Sequence, residues 1–116
     1  MPQFPKSVVV FEPNKPPAVV DLPFQESYGF TLESLQAVVG GYIEMVNISA
    51  YRPNLPAPRW AVAVCNEEGL LRNLPHNRIF YGTFLVCSTY ADMMIGLTQD
   101  QIARIVALSW TGRLAR

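Results

Sequence analysis

Arginines and aromatic rings gather in one stretch of this chain, where Tyr51-Arg52 and Arg59-Trp60 flank Pro53, Pro56 and Pro58. A guanidinium fork suits carboxylate and phosphate oxygens, an aromatic face stacks on planar groups, and prolines reduce the entropy lost when a loop orders on a ligand. These residue types suggest an anion-binding loop over 49–60, with Arg52 and Arg59 as anion contacts and Tyr51 and Trp60 as stacking surfaces. His76, Asn77 and Arg78 lie in the connection to a later apolar run and are assigned to the same pocket, Arg78 as its third cation. If the runs 60–65 and 83–87 pair antiparallel, however, Arg78 falls at the opposite rim.

Glu44 sits inside an apolar run between Ile43 and Met45, so its side chain points opposite to theirs and shares a face with Tyr42 and Val46. That face is either solvated or the floor of a ligand site. Catalysis finds less to use. His76 is the only histidine, Cys65 and Cys87 lie in no nucleophile signature, and no G-x-S-x-G occurs. Glu67 and Glu68 are adjacent, seldom converge on one ion, and read as solvated turn acids. Gly40-Gly41 follow a helix instead of preceding one, so they read as a helix cap and not a phosphate loop. The expectation is no catalytic residue, no metal site and no cofactor.

These residues must be positioned by the apolar runs around them. Ser7–Phe11 and Ala18–Asp21 are β-branched and separated by a Pro-rich segment, which predicts a hairpin within a Pro-rich start, residues 1–24. Thr31 caps a predicted helix over 32–39 that Gly40 ends, and a strand follows over 42–46. A structureless loop is expected from Ser49 to Arg59. Runs 60–65 and 83–87 are apolar on both faces and read as central strands, with Asn66-Glu67-Glu68-Gly69 as a turn. Thr98-Gln99-Asp100-Gln101 is a capping box opening a helix whose Ile102, Ile105, Val106 and Leu108 form an apolar stripe, with Gly112 as its stop. The fold class is α+β: one antiparallel or mixed sheet of about five strands with two helices packed on it.

Composition bounds the partners. The chain has 116 residues, 50% hydrophobic and 16% charged, which excludes the disordered class and fits one domain, 1–116. Nine bases cancel nine acids, so no field favours nucleic acid or an anionic membrane. The zero hides a gradient, with two lysines against five acids in 1–51 and seven arginines against four acids in 52–116. Ile79 to Leu97 is the most membrane-like stretch, but Gly82, Thr83, Ser88, Thr89 and Gly96 interrupt it. The start Met-Pro-Gln-Phe-Pro-Lys has no continuous apolar region, so the two cysteines are expected buried and reduced in a cytoplasmic protein.

Leu35-Gln36, Val39-Gly40-Gly41-Tyr42-Ile43-Glu44, Asn66-Glu67-Glu68-Gly69-Leu70, Leu74-Pro75, Asn77, Gly82-Thr83-Phe84-Leu85-Val86 and Leu97-Thr98 follow one another in a telling order. That order resembles small phage-, plasmid- and bacterially encoded domains of unknown function, with the pattern LQ..VGGYIE, then NEEG, then N, then G..LV. The likeness spans residues 30–105, within a family-like core of 30–110. It implies a small accessory protein, often carried by mobile elements, and brings no activity, cofactor or catalytic residue.

The reading is a non-enzymatic binding protein that sequesters a small anionic or nucleotide-type ligand. The alternative is a protein-interaction module that inhibits or adapts a host protein through a strand edge or apolar patch, and a small hydrolase or transferase ranks third. High apolar content, zero net charge and short edge strands predict a two-fold homo-dimer or higher oligomer. Light scattering at micromolar concentration is expected to give about twice 13.0 kDa, and a monomer mass would contradict the expectation.

Overall fold

Runs of β-branched residues favour extended backbone, and the first two pair as the expected hairpin: β1 (Ser7–Phe11) with β2 (Ala18–Asp21), Val9 opposite Val19. Pro13, Pro16 and Pro17 stay in the connection, where no ladder N–H is required. The computed structural model describes residues 4–51 and 57–108. β3 (Phe24–Gln25) and β4 (Gly29–Phe30) follow as an antiparallel pair. Gly29 is in the left-handed region at φ +81°, and a Cβ there would collide with the Met94 carbonyl.

Thr31 caps α1 (Leu32–Val39) by accepting the Ser34 N–H at 3.1 Å. Gly40 closes the helix at φ +80°, its N–H donating to the Gln36 carbonyl at 2.8 Å. β5 (Ile43–Asn47) runs straight into α2 (Ile48–Tyr51), a correction to the loop expected from Ser49. Its cause is the Asn47 side chain, whose Oδ1 accepts the Ala50 N–H at 3.3 Å and the Ser49 hydroxyl at 2.8 Å, the work of a helix cap. β6 (Val62–Asn66) starts at Val62, two residues later than expected, because Trp60 belongs to a turn in which the Ala61 N–H reaches the Pro58 carbonyl at 3.1 Å.

The remaining elements are β7 (His76–Asn77), β8 (Phe80–Tyr81), β9 (Phe84–Tyr90), β10 (Met93–Ile95) and α3 (Gln99–Val106). β7 and β8 form a small hairpin of their own. β9 is the axis of the main sheet. Phe84, Leu85 and Val86 pair with β1, Leu85, Val86 and Cys87 pair with β6, and Ser88, Thr89 and Tyr90 pair with β10. β10 runs parallel to β4, while β5 hangs on β6.

The class is α+β, as expected, but the sheet has eight strands and the described residues contain three helices, where about five and two were expected. Strands of two or three residues hold too few alternations to show a period of two, so pattern reading misses them. The central strands are buried on both faces, as their composition predicts. One face joins Val9, Phe11, Val46, Ala63, Phe80, Phe84 and Val86 under α3, and the other joins Val8, Val10, Val64, Leu85 and Cys87 under α1.

The capping box of α3 is complete, with Thr98 Oγ1 accepting from the Gln101 N–H and Gln101 Oε1 accepting from the Thr98 N–H. Ile102 and Ile105 are buried, Val106 is exposed, and the helix ends at Val106. The expected stop, Gly112, lies outside the described residues. No described helix is long and apolar enough to cross a membrane.

Two residues assigned to a ligand pocket instead tie this frame together. Asn77 is 2% exposed, and its Nδ2 donates to the Phe11 carbonyl at 2.9 Å and the Gly82 carbonyl at 2.8 Å. Arg78 Nη1 donates to the Glu12 carbonyl and to Asn77 Oδ1, both at 2.9 Å, and Nη2 to the Lys15 carbonyl at 2.6 Å, with the guanidinium 5.2 Å from the Phe11 ring centroid. The β1–β2 turn thus fills the guanidinium fork that an anion was expected to occupy. Removing the Asn77 amide takes a donor from each of two buried carbonyls and an acceptor from Arg78 Nη1, and such a hydrogen bond contributes about 0.5–1.5 kcal/mol, more where a charged group takes part. Asn77→Ala is therefore expected to destabilise the fold by roughly 2–4 kcal/mol, measured by urea unfolding.

Candidate functional site

Among the described residues, those of the expected pocket do not come together. β6 and β9 are antiparallel, Val62 opposite Cys87 and Val64 opposite Leu85. Arg59 and Trp60, ahead of β6, therefore sit at the rim toward which β9 runs, while His76, Asn77 and Arg78 sit at the rim where β9 begins. Arg59 is exposed, its carbonyl accepting from Asn47 Nδ2 at 3.4 Å, and Trp60 is half-buried against the core. Arg52 lies outside the described residues, and Tyr51 closes α2. His76 is exposed, its ring 5.0 Å from that of Tyr81.

Glu44 does line a cleft. β5 and β6 pair with Glu44 opposite Cys65, and strand alternation puts Glu44 and Val46 on the face that carries Phe80 and Ile79. A cleft of about 170 Å³ opens there, floored by Glu44, Val46 and Cys65. One wall is the turn Asn66, Glu67, Gly69 and Leu70, and the other is Ile79, Phe80 and Tyr81. The walls touch at one end, where a Cβ on Gly69 would collide with the Tyr81 carbonyl.

Asn66 holds the first wall. It is buried, its Oδ1 accepts the Glu68 N–H at 2.8 Å, and its Nδ2 donates to the Val39 carbonyl at 3.3 Å, tying the turn to the end of α1. The Glu67 N–H donates to the Tyr42 carbonyl at 2.9 Å, which extends the β5–β6 ladder by one step. Asx turn chemistry is visible in the sequence as Asn-Glu-Glu-Gly. That the turn folds against β8 is not, and so Glu67, Leu70 and Phe80 were missed as site residues.

Among the described residues, the charged side chains lining the cleft are two carboxylates, Glu44 and Glu67, and no basic side chain joins them. This arrangement attracts cations and repels the anion expected from the arginine loop. Cys65 at the floor is held as the thiol at neutral pH: burial, and then the charge of Glu44, push it up to about 11 although a backbone hydrogen bond opposes them. A second, shallower cleft of about 190 Å³ lies by the same turn, lined by Gln36, Gly41, Tyr42, Glu68 and Arg72. Its Arg72 and Glu68 form an exposed ion pair at 4.0 Å. Among the described residues, no group of three or more His, Cys, Asp and Glu is placed to hold a metal ion.

With this geometry in hand, comparison with known proteins adds one match. A family described as a domain of unknown function, DUF3846, matches residues 5–109, from the start of the β1–β2 hairpin to the end of α3. No curated protein and no solved structure matches the chain.

Both cysteines are buried, and burial pushes Cys87 up to about 12. Thiols of the unfolded chain ionise near pH ~8.5, so between there and the folded values the folded state holds more protons. Stability is expected to be insensitive to these thiols below about pH 8 and to fall as pH rises above about 9. Urea unfolding from pH 7 to 10 checks this, the loss being smaller in Cys65→Ala than in the parent. Native protein is also expected to resist thiol labelling at pH 7.

Proposed function

The chain belongs to the DUF3846 family of unknown function, which supplies no activity to inherit, and we propose that it is a non-enzymatic binding protein whose ligand enters the β5–β6 cleft through a cationic group. One observation carries the reading. Glu44 and Glu67 line a concavity that also offers apolar Val46 and Leu70 and aromatic Phe80 and Tyr81, with no base among the described residues to neutralise the acids. Such a site combines charge attraction for an ammonium or guanidinium head with apolar contact for its stem.

The proposal keeps binding as the function and reverses the sign of the ligand. The anionic or nucleotide-type ligand depended on Arg52, Arg59 and Arg78 converging, and Arg78 is held by backbone carbonyls while Arg59 stands at the other rim. A mobile-element accessory role in the cytoplasm belongs to the same proposal, with a host component as what is bound. Self-association would use the edge of β2 that no described strand pairs, its four residues all being exposed.

Thermal unfolding with added ligands tests the reading, because a compound that binds only the folded state raises Tm by mass action. A butylguanidinium salt is expected to raise Tm at millimolar concentration, and a nucleotide at the same ionic strength is expected not to. The gain should vanish in the double variant Glu44→Gln, Glu67→Gln. Stabilisation by the nucleotide and not by the cation would overturn the assignment.

A further inference from the structure

We infer that the cation belongs to an extended peptide segment of a partner protein, which adds as a strand along the free edge of β5 and lays a Lys or Arg side chain into the cleft between Glu44 and Glu67. This rests on the reading of the cleft as a cation site and goes further by naming its occupant.

The edge is open. β5 pairs with β6 on one side, and among the described residues no strand pairs with the other. Two hydrogen bonds set the phase of the ladder: the Glu67 N–H to the Tyr42 carbonyl at 2.9 Å and the Ile48 N–H to the Ala61 carbonyl at 3.4 Å. In an antiparallel pair the inward-bonding residues alternate, so Tyr42, Glu44, Val46 and Ile48 bond toward β6. The backbone groups of Ile43 and Met45 therefore point outward, ready for a further strand, while Asn47 serves as the cap of α2.

The edge also lacks the usual protection. β5 contains no proline and no lysine, and apolar groups stand exposed on it and next to it in sequence: Met45 is 58% and Tyr42 67% exposed. Alternation fixes what a partner strand must carry. A residue placed beside Glu44 projects on the cleft face, where a long basic side chain can lie over β5 between the carboxylates. Its neighbours on either side project with Met45, where apolar side chains would cover the exposed methionine. The matching segment is apolar, basic, apolar.

Charge complementarity selects a different protein over a second copy. β5 of another copy would present Tyr42 to Asn47, which contain one acid and no base, and β2 presents Ala18 to Asp21, again without a base. Neither of these two edges, nor that of β3 (Phe24–Gln25), supplies the cation that the cleft calls for.

The test is fluorescence anisotropy of a labelled, end-capped octapeptide alternating serine and valine, with one central serine replaced by arginine. Binding is expected, and changing that arginine to glutamate should weaken it by about ten-fold or more, the loss of a charge-assisted contact. Glu44→Gln with Glu67→Gln should cost the arginine peptide about the same factor, in a variant whose urea midpoint is unchanged because both sites are surface positions. N-methylation of the peptide amides that would face Met45 should abolish binding while leaving the peptide's charge intact. Equal binding of the N-methylated peptide, or no peptide binding while butylguanidinium still raises Tm, would overturn strand addition and leave the cation site standing. Indifference to both the peptide's charge and the two carboxylates would overturn the cation site as well. A dimer that Met45→Lys converts to monomer would assign the edge to a second copy and overturn the inference.

Discussion

β9 has to satisfy neighbours in every direction, and the rest of the molecule follows from how it does so. Its residues 84–87 are fully buried, with side chains alternating into two separate apolar clusters. Both of its edges are hydrogen-bonded along this stretch, to β1 and to β6. A strand so enclosed cannot slip, since a shift of one residue would exchange the two clusters and bring Phe84, which stacks on Phe11 at 4.8 Å, to the wrong face. The register of β6 is therefore fixed by β9, that of β5 by β6, and Glu44 is carried to its place over Cys65.

The polar residues divide into those that hold the frame and those left to do something else. Asn77, Arg78 and Asn66 each donate side-chain hydrogen bonds to backbone carbonyls of distant segments, Phe11, Glu12 and Lys15, and Val39, joining turns that the sheet does not pair. A buried carbonyl without a donor is costly, so such side chains are structural even where their type suggests recognition. Arg78 illustrates the point, because burial pulls its guanidinium somewhat below its ordinary pKa and three acceptors hold it in place. Among the described residues, the Glu44 and Glu67 side chains have no such partner and line the cleft instead.

The cleft and the edge of β5 are one surface. The turn that walls the cleft is anchored by Asn66 to α1 and packed by Gly69 against Tyr81, so the carboxylates are presented by a supported framework and not by a free loop. Beside it, no described strand covers the outer edge of β5, where Met45 is exposed. Acid groups over an unpaired edge form a surface suited to main-chain recognition with a charged side chain as selector.

Much of the frame was legible in the residues. Thr31 and Gly40 bound α1, Thr98 and Gln101 open α3, the valine runs pair as a hairpin, and the runs apolar on both faces are central, because caps, turns and periodicity act over a few residues and leave a local signature. The short strands β3, β4, β7, β8 and β10 had no such signature, since each exists only by virtue of a neighbour that pairs with it. The site divides in the same way. That Glu44 points away from Ile43 and Met45 follows from alternation alone, whereas its company with Glu67 and Phe80 depends on the β5–β6 register and on the 66–70 turn folding against β8. The separation of Arg59 from Arg78 was decided by strand direction, a property that hydrogen bonding between distant segments sets and that no stretch of sequence contains.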